Sequence, residues 1–266
     1  MDRVSVIMSV YNTPTAFIEK AVRSILNQTY RFFEFIIYDD GSNLETKTYL
    51  EKIAKIDERI ILIACDDNHG LAYALNRCLE VASGTYIARM DSDDYCDPDR
   101  LRKQIDYLVE NSLDVVGCNM RLFDDNGIYG FINYNALIYS KDFLYNSPIS
   151  HPTIVAKRSA FDAVNGYCDE KWCVRNEDYN LFMRMQARGF RLGNISEYLY
   201  FFREDSNAAS RRKFKYRVNE YKVRKNGFHL LKLYPKGFFY KWKPILIGLI
   251  PRRIYVSLKR KRNRHA

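Results

Sequence analysis

The chain has 266 residues, of which 47% are hydrophobic and 15% aromatic, and this composition excludes a largely disordered protein. The net charge of +10 is unevenly distributed: residues 1–210 carry 23 Lys and Arg against 31 Asp and Glu, whereas residues 211–266 carry 19 Lys and Arg and one acid. The basic character therefore belongs to a C-terminal segment and not to the main domain. The N-terminus has no signal-peptide pattern, and no apolar run approaches the roughly 20 residues of a membrane span.

Strands and helices alternate along the first 118 residues. Apolar runs of strand length, typical of parallel strands buried on both faces, cover residues 4–10, 33–38, 60–63, 85–90 and 114–118. Helical spacing of apolar residues covers 17–26, 46–56, 70–81 and 98–111. This alternation predicts an α/β fold with a mostly parallel sheet flanked by helices. Ligands of such sheets bind beyond the carboxyl ends of the strands.

The second half is less regular. It contains a predicted strand over 153–156, helices over 158–164 and 177–188, and a late strand over 199–202. Gly189 follows the second of these helices and is expected to end it. There are no internal repeats.

Three carboxylates lie within four residues at the end of the fourth strand, in Asp91-Ser92-Asp93-Asp94. Mg²⁺ or Mn²⁺ is held in proteins by one or two carboxylates together with diphosphate oxygens, so the cluster is a candidate metal site. The alternative is a solvated turn before the next helix.

Other polar residues follow the first three strands. Asp39 and Asp40 end the second strand, where a carboxylate can accept a hydrogen bond from a uracil N–H; an Asx-type turn is the alternative. Tyr11-Asn12 follows the first strand, where Tyr can stack on a base or pack in a turn. Asp66 begins a polar loop after the third strand, with a solvated loop as the alternative.

Glu177 and Asp178 open a predicted helix, whose positive end favours an ionised carboxylate. Such a carboxylate can act as a general base toward an attacking hydroxyl, although acids are also ordinary in a first helical turn. His151 is a lone histidine in a turn, and we expect it to be structural or to line an acceptor site.

Six cysteines occur, and none forms a C-x-x-C pair. The closest two, Cys168 and Cys173, have no histidine partner at zinc spacing. We interpret the cysteines as small buried hydrophobic residues in a reducing cytosol.

Together these motifs carry a resemblance to a known family. They are VSVIMSVYN (4–12), SILNQTYRFFEFIIYDDGS (24–42), NHGLAYALN (68–76), SGTYIARMDSDDYCDPDRL (83–101) and NEDYNLFMRM (176–185). In this order they resemble the family 2 glycosyltransferases of the GT-A fold, particularly bacterial enzymes of surface-polysaccharide assembly. The resemblance extends over residues 4–205.

The resemblance implies an inverting transfer from a UDP-sugar with Mn²⁺ or Mg²⁺. Asp93 would be the direct metal ligand and Asp91 the second, close to the donor ribose. Asp178 would be the general base, with Glu177 as the nearby alternative. The predicted nucleotide-sugar site comprises Tyr11, Asn12, Asp39, Asp40, Asp66, Arg89, Asp91 and Asp93.

The basic segment 211–266 interleaves its cations with aromatic residues. We expect it to be helical and to lie on an anionic membrane; a solvated surface, or nucleic-acid binding, are the alternatives. The expected division is a catalytic domain over 1–210, with a nucleotide-binding half over 1–118 and an acceptor half over 119–210, followed by this segment.

The expected function is transfer of a hexose or N-acetylhexosamine to a hydroxyl of an undecaprenyl-diphosphate-linked saccharide in O-antigen or capsule biosynthesis. The enzyme would act peripherally at the cytoplasmic face of the inner membrane, without a nucleic-acid partner. A nucleotidyltransferase and a non-catalytic membrane-binding protein are the alternatives.

Overall fold

A computed structural model describes residues 2–204 and 213–249. Within them, nine strands form one sheet: β1 (Val4–Val10), β2 (Phe33–Asp40), β3 (Ile60–Cys65), β4 (Tyr86–Arg89), β5 (Tyr95–Cys96), β6 (Val115–Asp124), β7 (Gly127–Ile132), β8 (Val155–Lys157) and β9 (Leu192–Arg203). The helices are α1 (Thr15–Leu26), α2 (Leu44–Ile53), α3 (Leu71–Val81), α4 (Arg100–Glu110), α5 (Arg158–Asp162), α6 (Glu177–Ala187), α7 (Phe214–Leu230), α8 (Lys236–Tyr240) and α9 (Lys243–Gly248). Short 3₁₀ helices cover Ser140–Leu144 and His151–Thr153.

The strand order is β3-β2-β1-β4-β8-β6-β9-β5, with β7 paired to β6. The first four strands are parallel, β8 runs antiparallel to both β4 and β6, and β9 is parallel to β6. Among the strands described, six therefore point in one direction, whereas β5, β7 and β8 oppose them. This mixed, mostly parallel sheet confirms the expected α/β class.

Helices cover both faces of the sheet, because alternate side chains of a strand point to opposite faces. In β1, Val6 and Met8 join a hydrophobic cluster with α1, α2 and α4, whereas Ile7 joins a second cluster with α3, α5 and α6. All three side chains are fully buried. This two-sided burial explains why the strand is an almost uninterrupted apolar run in the sequence.

The polar ends of the strands differ from the sequence prediction. Strand β2 extends through Asp39 and Asp40, which are buried rather than beyond the strand. Strand β6 continues to Asp124 and turns at Gly127, with φ of +115°, into the unpredicted β7. Strand β9 begins at Leu192, seven residues before its predicted start. The added residues of β9 pair with β6, which is distant in sequence, whereas β7 forms a hairpin with β6; local apolar periodicity reports neither pairing.

The first helix of the basic segment packs against the main domain. Val223 and Phe228 of α7 lie in the same hydrophobic cluster as Phe182 of α6. Arg224 is buried and donates hydrogen bonds to the backbone oxygens of Leu144 (2.9 Å) and Tyr145 (3.1 Å). The change of charge near residue 210 is therefore not the edge of the folded core.

None of the helices that the structure describes is both long enough and apolar enough to cross a membrane. Residues 205–212 and 250–266, which carry part of the predicted membrane-binding segment, lie outside the described residues.

Candidate active site

The carboxyl ends of β1, β2 and β4 are tied together by side-chain hydrogen bonds. Asn12 accepts from the Asn43 backbone N–H at 2.7 Å, and its own N–H donates to Ser42 Oγ at 3.1 Å. Its φ of +50° is tolerated because Asn enters the left-handed region more readily than most residues. Thr13 Oγ1 lies 2.8 Å from Ser92 Oγ, which joins β1 to the turn after β4. The predicted nucleotide residues and the acidic turn therefore share one edge.

Asp39 is buried, and only one of its two carboxylate oxygens accepts a hydrogen bond from the described residues. Its Oδ1 accepts from the Ser42 N–H at 3.0 Å, whereas its buried Oδ2 has no hydrogen-bond partner among the described residues. A buried acceptor without a partner costs about 1–3 kcal/mol, so such an atom suits a donor group on a ligand. Val10 is in register with Asp39, and the next residue, Tyr11, is 51% exposed. A flat aromatic face is thus available beside the carboxylate.

Asp40 has a different environment, although it is equally buried. Its Oδ1 accepts from the His69 N–H at 2.9 Å, and its Oδ2 accepts from Asn68 Nδ2 and the Gly70 N–H, both at 2.8 Å. Both oxygens are therefore occupied by the loop after β3. Asp40 holds this loop against the end of β2.

Gly41 allows this close approach between loops. It has φ of +75°, and a Cβ at this position would lie 2.6–2.9 Å from the backbone of residues 66–68. Asp66, in the same loop, points outward with its side chain 92% exposed and pairs with Lys47 at 3.0 Å. Asp66 is therefore open to solvent, unlike the buried Asp39 and Asp40.

The acidic turn after β4 forms a compact carboxylate cluster. One oxygen from each of Asp91, Asp93 and Asp94 lies within 4.8 Å of the others. Asp94 is buried; its Oδ1 accepts from the Arg203 N–H at 2.7 Å, and its Oδ2 has no partner among the described residues. Asp93 is exposed and Asp91 is half-buried.

Burial and repulsion between carboxylates raise the pKa of two members of this cluster, Asp93 and Asp94. Although Asp93 is open to water, the surrounding protein replaces part of its hydration, and this effect together with repulsion from Asp91 raises its pKa to about 6. Burial, and then repulsion from Asp91 and Asp93, raises the pKa of Asp94 well above its ordinary value. A divalent cation would relieve this repulsion and supply a partner for Asp94 Oδ2. The oxygen-only donor set therefore fits Mn²⁺ or Mg²⁺.

Arg89 connects this cluster to the start of α6. It is fully buried and pairs through Nη1 with Asp91, whereas its buried Nε has no hydrogen-bond partner within the described residues. Its positive charge also lowers the pKa of Glu177 and Asp178, against larger effects in the opposite direction. The charge of Arg89 thus acts on both groups of acids, and its buried Nε–H has no hydrogen-bond acceptor among the described residues.

Glu177 and Asp178 occupy the first turn of α6, as predicted. Glu177 accepts from the Arg175 N–H at 2.9 Å, and burial raises its pKa. Burial and then the charge of Glu177 raise the pKa of Asp178 to about 6, although backbone N–H groups at the helix start oppose this effect. A carboxyl group with a pKa near 6 is well suited to act as a general base near neutral pH.

His151 is buried and hydrogen-bonded within the protein, as a structural residue is. Its Nε2 lies 2.8 Å from Tyr167 Oη, and burial followed by the charge of Arg89 holds its pKa well below the ordinary value. Tyr167 is itself fixed by Asn76, which bonds both its N–H and its carbonyl oxygen. The structural alternative for His151 therefore fits its geometry.

Two residues that sequence reasoning missed contact the acidic turn. The Asp91 N–H donates to Tyr200 Oη at 3.1 Å, and the backbone N–H of Arg203 donates to Asp94. Both residues lie on β9, which pairs with β5 immediately after the turn. The sequence predicted a strand over 199–202, which includes Tyr200, but it did not predict the partner strand β5.

Comparison with known proteins gives a consistent family. Residues 5–164 match glycosyl transferase family 2. The chain is 35% identical over 262 residues to the putative glycosyltransferase EpsE of Bacillus subtilis, covering 98% of this chain and 94% of EpsE. It is 33% identical over 210 residues to the O-antigen biosynthesis glycosyltransferase WbnJ of Escherichia coli, with 76% and 80% covered. A third relative is the E. coli UDP-Glc:alpha-D-GlcNAc-diphosphoundecaprenol beta-1,3-glucosyltransferase WfaP, 30% identical over 238 residues, with 85% and 87% covered.

Solved structures show the same fold at lower identity. TarS 1–349 of S. aureus in complex with UDP-GlcNAc superposes with a TM-score of 0.72 at 17% identity, covering 94% of this chain and 76% of TarS 1–349. The mannosyltransferase PcManGT of Pyrobaculum calidifontis in complex with GDP-Man and Mn²⁺ gives 0.66 at 17% identity, with 98% and 80% covered. Because the family match spans most of the chain and a relative at 35% identity aligns along nearly its whole length, this chain belongs to glycosyltransferase family 2.

Proposed function

We propose that this glycosyltransferase transfers a hexose or N-acetylhexosamine from a UDP-sugar, with inversion, to a sugar hydroxyl of a lipid-linked oligosaccharide in bacterial polysaccharide biosynthesis. One observation carries the proposal. The Asp91-Asp93-Asp94 cluster shares an edge of the sheet with the half-used carboxylate of Asp39, and Arg89, which pairs with Asp91, also lowers the pKa of Asp178 against the larger effect of burial. This arrangement supports the proposal that a metal site, a nucleotide acceptor and a base act together.

The nucleotide is proposed to bind across the ends of β1 and β2. The free Oδ2 of Asp39 would accept the uracil N–H, and Tyr11 would stack on the ring. Asn12 and Asp40 would hold the surrounding loops through the hydrogen bonds described above, and Asp66 would border the site. The S. aureus TarS structure, solved with UDP-GlcNAc, supports a UDP-sugar as the donor.

Asp93 and Asp91 are proposed to hold Mn²⁺ or Mg²⁺, and the buried oxygen of Asp94 adds a third candidate ligand. When bound, the ion supplies positive charge that stabilises the departing diphosphate. The Mn²⁺ complex of the similarly folded mannosyltransferase supports this choice. The buried Nε–H of Arg89 is suited to donate a hydrogen bond to an oxygen of the UDP-sugar, because guanidinium groups pair well with anionic oxygens.

Asp178 is proposed to take the proton from the acceptor hydroxyl. The oxygen then attacks the anomeric carbon from the face opposite the UDP leaving group, so the configuration inverts. Glu177 keeps the pKa of Asp178 raised and is the alternative base. His151 and Tyr167 would form part of the wall around this reaction.

The acceptor is proposed to be an undecaprenyl-diphosphate-linked saccharide at the cytoplasmic face of the inner membrane. The name of the relative WfaP gives a diphosphoundecaprenol acceptor. In this chain, the segment 232–249, which contains α8 and α9, exposes cations such as Lys232 and Lys236 together with five apolar residues: Phe238, Phe239, Trp242, Leu246 and Leu249. Exposed aromatic and basic side chains together favour an anionic bilayer surface.

A UDP-release screen tests the reaction. The purified chain is incubated with a panel of UDP-sugars and Mn²⁺, with and without a chelator, and free UDP is measured. We expect slow hydrolysis of one or two donors that stops when the metal is removed. Release of pyrophosphate from a nucleoside triphosphate, without UDP release from any UDP-sugar, would instead indicate a nucleotidyltransferase.

A vesicle assay tests the membrane proposal separately. The wild type is expected to co-sediment with phosphatidylglycerol vesicles and less with phosphatidylcholine vesicles. Trp242→Ser combined with Phe239→Ser is expected to weaken sedimentation by about tenfold, as loss of two inserted aromatic rings implies. Leu44→Ser, which removes an apolar side chain of α2 that is at least as exposed as Phe239 and Trp242, is the control. Equal sedimentation of all three proteins, or preferential binding to an oligonucleotide, would contradict the proposal.

A further inference from the structure

Two cysteines that the proposed reaction does not use lie together in the segment between α5 and α6. Cys168 is half-buried and Cys173 is fully buried, and their Sγ atoms are 2.7 Å apart, with the Cys173 thiol donating to Cys168. The two sulfurs are free thiols within about 0.7 Å of disulfide bonding distance. Bond formation therefore requires only a small movement.

The backbone around these residues is held in a defined turn. The Cys173 N–H donates to the Glu170 oxygen at 2.8 Å, and the Asn176 N–H donates to the Cys173 oxygen at 2.8 Å. Asn219 of α7 adds hydrogen bonds from its Nδ2 to the carbonyl oxygens at Lys171 and Val174. The approach of the two sulfurs therefore follows from the fold of the loop.

The two thiols differ in pKa and in accessibility, as disulfide exchange requires of an attacking and a resolving cysteine. The hydrogen bond from Cys173 is the main cause that lowers the pKa of Cys168 to about 7, and the nearby charge of Arg184 also lowers it. The same interaction raises the pKa of Cys173. Cys168 is thus the accessible, partly ionised nucleophile, and Cys173 is the buried thiol that can resolve a mixed disulfide.

We propose that Cys168 and Cys173 form a reversible dithiol–disulfide pair that is oxidised by low-molecular-weight disulfides and crosslinks the loop leading to Glu177. The Cys168 thiolate attacks one sulfur of the small disulfide, which gives a mixed disulfide and releases one small thiolate. Cys173 loses its proton and attacks Cys168 Sγ, which forms the Cys168–Cys173 bond and releases the second small thiol. The protein thereby loses two electrons and two protons, and the small disulfide gains them.

The disulfide would affect the start of α6, because the two cysteines lie shortly before it in the chain. Cys173 lies three residues before Asn176, whose neighbours Glu177 and Asp178 begin α6. A crosslink within residues 168–173 restricts the backbone immediately before these acids. Transient disulfides of this kind are compatible with a reducing cytosol, where most cytosolic examples are redox-sensing or catalytic.

Mass spectrometry of the full chain after treatment with oxidised glutathione tests the chemistry. We expect the wild type to lose about two mass units without retaining glutathione, and a peptide joining Cys168 to Cys173 to appear after digestion. Cys173→Ser is expected to retain one glutathione on Cys168, and Cys168→Ser to form no internal disulfide. Cys65→Ser, which removes the other half-buried cysteine, is expected to behave as the wild type.

Two results would overturn the proposal. One is a wild type that stays reduced or keeps glutathione on Cys168; the other is a disulfide that disappears in Cys65→Ser. Phenylarsine oxide, which needs two adjacent thiols, provides an oxidant-free check: it is expected to bind the wild type and neither single variant. Hydrogen exchange tests the consequence, because amides within 169–176 are expected to exchange at least about threefold more slowly after oxidation. Unchanged exchange would reject the restriction of the loop.

Discussion

Asp40 and Asp94 are both buried carboxylates at the carboxyl edge of the same sheet, but they differ in how many hydrogen bonds the protein donates to them. Asp40 accepts three hydrogen bonds from the loop after β3, so its charge is balanced by fixed dipoles. Asp94 accepts one backbone hydrogen bond, keeps a buried oxygen without a partner among the described residues, and lies beside two other carboxylates. The arrangement around Asp40 stabilises the fold, whereas the arrangement around Asp94 leaves a carboxylate oxygen and negative charge available to a bound ligand.

The same contrast separates the two groups of proposed site residues. The loops around Asn12 and Asp40 are closed by protein hydrogen bonds, whereas burial, and then repulsion from a neighbouring carboxylate, keeps the pKa of Asp93 and of Asp178 raised. Perturbed titration is common at functional sites, where residues are held for a task rather than for stability. The comparison predicts that substitutions in the first group impair folding and substitutions in the second impair function.

The largest effect is expected for Asp178→Asn. The amide keeps the size of the side chain but cannot accept a proton, so turnover should fall by about 10²–10⁴-fold. Binding of UDP with Mn²⁺, measured by calorimetry, should remain as in the wild type. Glu197→Gln, at an exposed acid paired with Lys103, is the control. Activity close to that of the wild type would show that Asp178 is not the base, and an equal loss in Glu177→Gln alone would move the role to Glu177.

A large effect on binding is expected for Asp93→Asn. In the wild type, Mn²⁺ should raise the affinity for UDP by roughly 5–150-fold, the usual range of coupling between two ligands. The variant should bind UDP with nearly the same affinity with Mn²⁺ and with chelator, because the exposed member of the cluster has lost its charge. Asp106→Asn, at an exposed acid on α4, should retain the metal effect. Full retention in Asp93→Asn would exclude Asp93 as a metal ligand.

Comparison of Asp40→Ala with Asp39→Ala tests the contrast within one strand end. Asp40→Ala removes the charged acceptor of three hydrogen bonds from the loop, so the free energy of unfolding should fall by about 2–4 kcal/mol. Asp39→Ala removes one hydrogen bond to Ser42 and should cost about 1 kcal/mol, but it should weaken UDP binding. Urea denaturation and UDP titration of both variants measure these effects. Equal losses of stability would remove the distinction between the two residues.

The sequence predicted the donor side of this site better than its surroundings. Asp39 and Asp91 lie at the ends of strongly periodic strands, and parallel strands bring such ends to one edge, so their common edge was foreseeable, whereas the role of Asp178 at the start of α6 stays a prediction. Asp94 was not among the predicted metal ligands, since nothing local shows that its second oxygen has no partner among the described residues. Tyr200 and Arg203 reach the cluster through pairing between β5 and β9, a contact between residues about 100 positions apart. The apolar periodicity of a short stretch of sequence does not show which distant strand it pairs with.

The acceptor side and the C-terminal segment show the same limit. Net charge separated residues 211–266 from the rest, yet Arg224 of this segment is buried and fixes the backbone at Leu144 and Tyr145. A cation is ordinarily expected at the surface, and only its partners reveal that it is structural. The proximity of Cys168 and Cys173 likewise depends on the turn between them, which spacing alone did not predict.

The smallest effect expected is a pH dependence of stability at Asp178. Burial and Glu177 raise its pKa from 3.8 to about 6, so between these values the folded state binds more protons than the unfolded state. The free energy of unfolding contributed by this group therefore falls as pH rises from 4 to 6. A shift of this size corresponds to about 3 kcal/mol at most, and partial exposure should reduce it to about 1–2 kcal/mol.

Asp178→Asn removes this titration, so the variant should gain stability relative to the wild type between pH 4 and pH 7, as measured by urea denaturation at both values. Over the same range the wild-type rate of UDP release should rise and level off above pH 6, because only the ionised carboxylate accepts a proton. The loss of stability and the gain of activity would then share one titration. A stability difference independent of pH would show that Asp178 is as well balanced as Asp40, and the contrast between the two groups of carboxylates would not extend to α6.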